Sequence, residues 1–175
     1  MVDGKSYTIH KGKKSQSKTS EAALKRMRER MVVMAYRMDS VGEVDAVSFL
    51  NDSRSVDLLS TRDSFKCLAG PAVWLTTTTS HERDFALIEK YISEKIKAIV
   101  VYGAEAIDMR LKLEKLVNTF LIVADLKEAV NVSFKLAEVG DLVIYSPSCV
   151  AKDGYLNFVD RGQAFDKYVK ELKKS

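Results

Sequence analysis

Polar side chains that could do chemistry follow short apolar runs in this sequence. The segment NDSR, residues 51–54, comes directly after one such run and falls where a strand would turn into a helix. The backbone N–H groups of a helix N-terminus, together with an adjacent guanidinium, suit an anionic ligand. The alternative is that Asp52 or Ser53 only caps that helix, since both residue types are common N-caps.

Two further segments have the same position relative to apolar runs. TTTTSH, which ends at His81, offers four hydroxyls and an imidazole. The alternative is a purely structural role, because threonine suits the end of a strand and Thr79 could cap a helix. The segment SPSCVAKDGYLNFVDRGQAF, residues 146–165, has a more distinctive sequence than a simple connecting loop requires. These loops are the candidate binding elements.

The common catalytic and nucleotide-binding signatures are missing from the sequence. Neither GxGxxG nor GxxxxGK[ST] occurs, so neither a dinucleotide-binding fold nor a P-loop is predicted. Two histidines, His10 and His81, give no basis for a Ser-His-Asp arrangement. Cys67 and Cys149 lie far apart without CxxC spacing, which argues against a zinc site and a disulfide framework. We therefore predict no catalytic residue and no metal ligand within this chain.

The rest of the sequence repeats one pattern, in which a short apolar run is followed by an amphipathic stretch. The strand candidates are Val44–Leu50, Ala72–Thr76, Ala98–Tyr102, Thr119–Ala124 and Asp141–Tyr145, with VVMAYRM, residues 32–38, as a further edge strand. Helix starts are indicated by the capping boxes Thr79 with Glu82 and Asp125 with Glu128, and by the weaker pair Asp160 with Gln163. Apolar strands that alternate with helices predict an α/β, Rossmann-like three-layer domain. Its mostly parallel sheet has five to six strands with helices on both faces, and ligands bind beyond the carboxyl ends of the strands.

Charge is concentrated at the start of the chain. Residues 1–40 contain ten Lys or Arg against four Asp or Glu, while the remainder is nearly neutral. We interpret residues 1–19 as a basic, solvated arm and residues 20–175 as the folded domain; nucleic-acid binding by the arm is the less favoured alternative. The sequence has neither an apolar signal region nor a run of about 18 apolar residues, so we expect a cytoplasmic protein without membrane contact.

The loops resemble motifs of a known family. NDSRSVD, residues 51–57, resembles the NDSKATN motif of Mur ligases. The segment of residues 146–165 is similar to SPACASFDQFKNFEERGDxF, which closes the MurD-type ligase that adds D-glutamate to UDP-N-acetylmuramoyl-L-alanine. The resemblance runs from about Arg37 to the C-terminus and covers the C-terminal, Rossmann-like domain of these three-domain enzymes. The resemblance does not extend to the ATPase and UDP-sugar domains of these enzymes.

The resemblance implies roles for individual residues. Arg37 matches an arginine that reaches the ATP phosphates, and Asn51 and Asp52 match the nucleotide side of the motif. The positions that match the amino-acid side or the ligand loop are Arg54, Val56, His81, Ala151, Lys152, Phe158 and Arg161. Several of these depart from the family pattern, because Arg54, Val56 and Ala151 stand where the family has lysine, threonine and serine. Structural alternatives remain for some: Arg161 pairs with Asp153 or Asp160, Phe158 belongs to the core, and Asn51 only ties its turn.

Two functional hypotheses follow from this resemblance. The first is a stand-alone, non-catalytic module, related to peptidoglycan-precursor ligases, that binds a small anionic ligand or a partner such as a Mur-type ATPase or UDP-sugar-binding chain. The alternative is one part of a split ATP-dependent amino-acid ligase that completes its site in trans. ATP and Mg²⁺ are implied only together with a partner ATPase. Retention of Arg37 and Asp52 favours the split ligase, whereas the eroded amino-acid side favours the binding module.

Overall fold

A computed structural model describes residues 35–78, 84–103 and 106–173 of the chain. The predicted arm, the first three residues of VVMAYRM, the capping box at Thr79 and the candidate residue His81 lie outside these residues. The division into residues 1–19 and 20–175 therefore stays a prediction.

A six-stranded sheet forms the middle layer of the domain. The strands are β1 (Asp39–Val44), β2 (Val47–Asn51), β3 (Ala72–Thr77), β4 (Ile96–Tyr102), β5 (Thr119–Val123) and β6 (Leu142–Tyr145). Their order is β1-β2-β6-β3-β4-β5. Among the strands of the described residues, only the pair β1–β2 is antiparallel, and the other neighbours are parallel. The predicted α/β fold with a mostly parallel sheet is confirmed.

The first predicted strand, Val44–Leu50, is wrong in detail because a hairpin interrupts it. Asp45 and Ala46 form the turn between β1 and β2, with φ of 47° and 62°. Two consecutive residues at positive φ are the geometry of tight hairpin turns, whose twist matches that of the flanking strands. The edge strand expected at residues 32–38 accordingly lies later in the chain, at Asp39–Val44.

Helices cover both faces of the sheet. They are α1 (Leu58–Lys66), α2 (Glu89–Lys95), α3 (Ala106–Leu113), α4 (Leu126–Leu136) and α5 (Phe158–Leu172), with 3₁₀ turns at Phe85–Leu87 and Glu114–Leu116. None of the helices in the described residues is long and apolar enough to cross a membrane.

The helix caps refine the sequence expectations. The side chain of Asp125 accepts from Glu128 N, and Glu128 Oε2 accepts from Ala124 N, so the predicted cap of α4 forms. Asp57 caps α1, which corrects the expectation that Asp52 or Ser53 does so. Helix α5 begins three residues earlier than the predicted Asp160 box, because Asn157 is its N-cap.

Alternation along the strands builds two apolar cores. On β3, Trp74 packs with α1, α2 and α3 on one face, and Leu75 packs with α4 and α5 on the other. Both side chains are fully buried. Successive side chains of a strand point to opposite faces, so a strand covered on both faces must be apolar throughout.

The strand order decides which loops meet. Strand β6 lies between β2 and β3 and runs parallel to both. The loops that leave the carboxyl ends of β2, β6 and β3 are therefore neighbours, although they are far apart in sequence. This edge of the sheet, termed the carboxyl edge below, collects the described parts of the three candidate segments at the kind of position where α/β sheets bind ligands.

Candidate functional site

Asn51 ties the carboxyl edge together. Its Nδ2 donates to the carbonyl oxygen of Gly162 at 3.0 Å and to Asp166 Oδ1 at 2.7 Å. Its Oδ1 accepts from Ser53 N at 3.1 Å. The side chain is buried, and these contacts fix the loop after β2 to helix α5. Asn51 thus ties its own turn and also joins that turn to helix α5.

Asp52 is a buried carboxyl among hydroxyl groups. Its Oδ2 accepts from Ser55 Oγ at 2.6 Å and from Ser146 Oγ at 2.8 Å. Its Oδ1 accepts a longer bond from Met38 N, at 3.3 Å. Burial raises the pKa of Asp52 above its usual range, although these hydrogen bonds oppose the shift. The carboxyl therefore links the segment before β1 with the loops after β2 and β6.

Asp52 should give the protein a characteristic pH dependence. A carboxyl whose pKa is raised in the folded state contributes stability below its unfolded value, 3.8, and loses that contribution as the pH rises through the folded pKa. As the pH rises from 4 towards neutrality, the wild type should lose this contribution, whereas Asp52→Asn has none to lose. We therefore expect the free energy of unfolding of Asp52→Asn, relative to that of the wild type, to increase over this pH range. Urea unfolding followed by Trp74 fluorescence measures this difference, and a constant difference across the pH range would contradict the expectation.

Arg161 lies entirely within the protein. Its Nη2 donates to the carbonyl oxygen of Cys149 at 2.9 Å and to that of Ser53 at 3.3 Å. Its Nη1 makes a long ion pair with Asp153 Oδ1, at 3.4 Å. Of the two carboxylates considered from the sequence, Asp153 is the partner, since Asp160 instead accepts from Leu156 N. The guanidinium joins the loop after β2 to the loop after β6.

Two buried tyrosines continue this network. Tyr102 at the end of β4 and Tyr145 at the end of β6 place their hydroxyl oxygens 2.7 Å apart, across the intervening β3. The Tyr102 hydroxyl also donates to Asp153 Oδ2 at 2.7 Å. Burial raises the pKa of both phenols above their usual range, so they act as neutral donors. Sequence reasoning missed both residues, although two predicted strands end in tyrosine.

The first residues of the loop after β6 are fixed to β3. Trp74 Nε1 donates to the carbonyl oxygen of Ser146 at 2.8 Å, and Thr76 Oγ1 donates to that of Pro147 at 3.2 Å. Ser146 N donates to the carbonyl oxygen of Leu75 at 3.1 Å. These three hydrogen bonds join the backbone of Ser146 and Pro147 to β3, so the start of the loop is a rigid continuation of the sheet.

Three cationic side chains lie at or near the exposed part of the carboxyl edge, where the carboxylates of Asp39 and Asp57 are also exposed. Arg37 and Lys152 are exposed and Arg54 is half-buried. The flanking residues of Arg37 both have left-handed backbones, with φ of 63° at Tyr36 and 53° at Met38. Arg54 N donates to the carbonyl oxygen of Tyr36 at 3.0 Å. Left-handed non-glycine residues are uncommon and need support from their surroundings, so the Arg37 segment is held in one conformation.

The remaining candidate positions on the amino-acid side offer few polar groups. Val56 and Ala151 are half-buried and carry no donor in their side chains. Phe158, also half-buried, makes an edge contact with the Tyr36 ring at a centroid distance of 6.3 Å. The phenylalanine thus supports the Arg37 segment.

No cluster of metal-binding side chains lies in the part of the chain that the structure describes. Within residues 35–78, 84–103 and 106–173, no group of three or more His, Cys, Asp or Glu residues is arranged to hold an ion. Both cysteines are free thiols, with Cys67 exposed and Cys149 buried.

Comparisons with known proteins agree with this geometry. No protein-family model matches the chain. A UDP-N-acetylmuramoylalanine–D-glutamate ligase of Geobacillus kaustophilus is 30% identical over 156 residues, which are 88% of this chain and 34% of that enzyme. The ligase of the same name from Lactobacillus delbrueckii is 32% identical over 139 residues, or 79% of this chain and 30% of that enzyme. The chain thus spans about a third of the length of the curated relatives it matches.

Solved structures give the same fold. The murein peptide ligase of Psychrobacter arcticus superposes with a TM-score of 0.53 and 10% identity, over 80% of this chain and 29% of that one. The MurF ligase of Thermotoga maritima, solved with ADP, has a TM-score of 0.50 and 14% identity, over 87% of this chain and 37% of that one. The chain is thus similar to the C-terminal type of Mur ligase domain, in sequence over about a third of the length of its relatives and in its fold. Its sequence relatives within that family are the D-glutamate ligases, the MurD type.

Proposed function

We propose that this domain is a non-catalytic binding module of the peptidoglycan-precursor ligase kind, which works in the cytoplasm and uses its carboxyl edge as the contact surface. One observation supports this most directly: Asn51, Asp52 and Arg161 are buried and engaged with other parts of the domain. Their polar atoms bond neighbouring loops of the domain, which favours a structural role over direct contact with a ligand. These residues act on a ligand only by shaping the edge.

The exposed residues indicate what the edge would bind. Arg37, Arg54 and Lys152 supply positive charge beside a rigid backbone, which favours a small anionic ligand or an acidic surface of a partner chain. Val56 and Ala151 supply no hydroxyl. A missing hydrogen bond to a charged group costs about 1–3 kcal/mol, so D-glutamate recognition in the family manner is not expected. A Mur-type ATPase or UDP-sugar-binding chain is the proposed partner.

Capture of partners by charge-reversed variants tests this proposal. The tagged full-length chain is incubated with its native lysate beside Arg37→Glu/Lys152→Glu and a control, Lys115→Glu/Lys135→Glu. The control changes the net charge equally at exposed lysines outside the loops of the carboxyl edge. We expect mass spectrometry to identify a Mur-type ATPase or UDP-sugar-binding chain with the wild type and the control, and its loss with the edge variant. Equal capture by all three proteins would contradict the proposed surface.

The module should also be inactive alone. We expect neither ATP hydrolysis nor amide-bond formation when the purified chain is given ATP, Mg²⁺, a UDP-muramoyl acceptor and D-glutamate, because the sequence has no P-loop to hold ATP. Either activity would overturn the non-catalytic proposal.

A split ligase remains the second candidate, and Arg37 favours it. Within the described residues, the Arg37 guanidinium makes no hydrogen bond or ion pair, while its backbone is held by the flanking left-handed residues. A cation positioned in this way suits a phosphate group supplied by another chain. If a captured ATPase forms amide bonds with this chain present, Arg37→Ala should lower the turnover number and Arg37→Lys should restore part of it. Unchanged turnover in Arg37→Ala would remove the second candidate.

A further inference from the structure

The exposed Arg37 is flanked by two residues that are anchored in different parts of the domain. The ring of Tyr36 lies against helix α5, whereas Met38 packs against the apolar core that contains Trp74. Both residues have left-handed backbones, and such conformations of non-glycine residues persist only where the surroundings fix them. The backbone conformation at Arg37 therefore depends on these two anchors.

The ring of Tyr36 lies directly on the backbone of Gly162. A Cβ at position 162 would be 2.5 Å from Tyr36 Cδ1 and 2.9 Å from Tyr36 Cε1, whereas carbon atoms in contact are about 3.5–4.0 Å apart. Only glycine therefore lets the ring approach the helix so closely. The Tyr36 ring also meets the Phe158 ring at an interplanar angle of 70°, an arrangement that aromatic pairs prefer. The start of α5 thus holds the ring through two contacts.

Backbone hydrogen bonds add to these contacts. The carbonyl oxygen of Tyr36 accepts from Arg54 N at 3.0 Å. On the other side of Arg37, Met38 N donates to Asp52 Oδ1 at 3.3 Å. The bond at Met38 is the longer of the two, and Tyr36 also has its ring contacts with α5, which makes Tyr36 the tighter anchor.

The guanidinium of Arg37 is available to a ligand. Asp39 is the acidic residue nearest to it in the sequence, but Asp39 Oδ2 accepts from Tyr36 N. Within residues 35–78, 84–103 and 106–173, the exposed Arg37 forms no ion pair. A guanidinium can contact two oxygen atoms of one phosphate group with parallel N–H groups, so its use to a ligand depends on where the backbone holds it.

We propose that Tyr36 is a positioning residue for Arg37: its ring, held against Gly162, fixes the backbone from which the guanidinium meets a phosphate group. This inference rests on the proposed use of the carboxyl edge as a contact surface and names a residue that acts there without touching the ligand. A segment that is fixed before binding loses less conformational entropy when the ligand arrives. Fixing the backbone of one residue costs roughly as much free energy as a tenfold change in affinity, so loss of the Tyr36 ring should weaken phosphate binding about tenfold.

The first test needs no ligand. In the full-length chain, the backbone N–H of Arg37 should have an NMR order parameter of about 0.85, typical of rigid backbone, and Tyr36→Ala should lower it below about 0.6. Tyr36→Phe keeps the ring and should stay rigid, and Tyr36→Leu, which keeps part of the apolar contact, should give an intermediate value. The matched control is Tyr91→Ala, because Tyr91 is also half-buried but lies on α2 and packs against the Trp74 core. A rigid Arg37 amide in Tyr36→Ala, or equal mobility in Tyr36→Phe and Tyr36→Ala, would overturn the proposal.

The second test is the binding of inorganic tripolyphosphate, followed by NMR at the backbone amides of positions 37 and 54. Tyr36→Ala should weaken binding about tenfold, and Arg37→Ala should weaken it at least as much. Adding Tyr36→Ala to Arg37→Ala should cause no further loss, because a positioning residue acts only through the residue that it positions. Equal losses from Tyr36→Ala in the two backgrounds would overturn the proposal. A wild type that does not bind the probe would contradict the anion-binding part of the proposed function, while the order parameters would still decide whether Tyr36 fixes Arg37.

Discussion

Replacing Arg161 with methionine should lower the free energy of unfolding by about 3–5 kcal/mol. Methionine preserves much of the volume, but it leaves the carbonyl oxygens of Ser53 and Cys149 without their donor and Asp153 without its cation. A buried charge or acceptor that loses its partner keeps its desolvation cost without compensation. Urea unfolding with Trp74 fluorescence measures the loss.

Arg62→Met is the matched control for Arg161→Met. Arg62 pairs with Asp63 at the surface, where its side chain is 31% exposed, and pairs of this kind contribute about 0–1 kcal/mol. Comparable losses in the two variants would show that Arg161 is not a buried structural centre. Lysine at position 161 should rescue little, because an ammonium cannot reach both loops with the geometry of a guanidinium.

Gly162→Ala should destabilise the domain by about 1–3 kcal/mol through overpacking, even though alanine favours helices. A Cβ at position 162 would collide with Ser53 Oγ and would lie 2.5 Å from Tyr36 Cδ1. The hydroxyl of Ser53 is itself bonded to the carbonyl oxygen of Phe158 at 3.0 Å. The helix must therefore move away from the Arg37 segment, or Tyr36 must leave its place.

Gly70→Ala is the control for this change, since no atom lies within 4 Å of its added Cβ. We expect the unfolding free energy of Gly70→Ala to match that of the wild type within about 0.5 kcal/mol. In Gly162→Ala, the amide of Arg54 should also exchange faster, because its acceptor is the carbonyl oxygen of Tyr36. A Gly162→Ala protein as stable as the wild type would mean that the close approach is easily relieved.

The sequence predicted the layers of the fold better than its turns. Runs such as residues 72–76 and 98–102 are apolar throughout, and this pattern has few outcomes other than a buried parallel strand. The hairpin at Asp45–Ala46 was missed because neither residue is glycine or asparagine, the usual signal for positive φ. Local capping patterns were also ambiguous, and Asn157 rather than Asp160 begins α5.

The site could not be assembled from spacing alone. Asn51 and Gly162 are more than a hundred positions apart, and only the insertion of β6 between β2 and β3 brings their loops together. The resemblance pointed to the loops after β2 and β6, which do meet in the fold, but it did not indicate that Asp52 and Arg161 are buried. Burial depends on how the three loops pack on one another, and that information is absent from any one motif.

The position of β6 also constrains the order of folding. Strands β2 and β3 have no direct pairing and are joined only through β6. The growing chain can form the β1–β2 hairpin and the β3–β4–β5 unit separately, but the two halves cannot unite until residues 142–145 have left the ribosome. Long-range closure of this kind raises the contact order and slows folding. Synthesis of the last fifth of the chain therefore decides when the domain becomes a single cooperative unit.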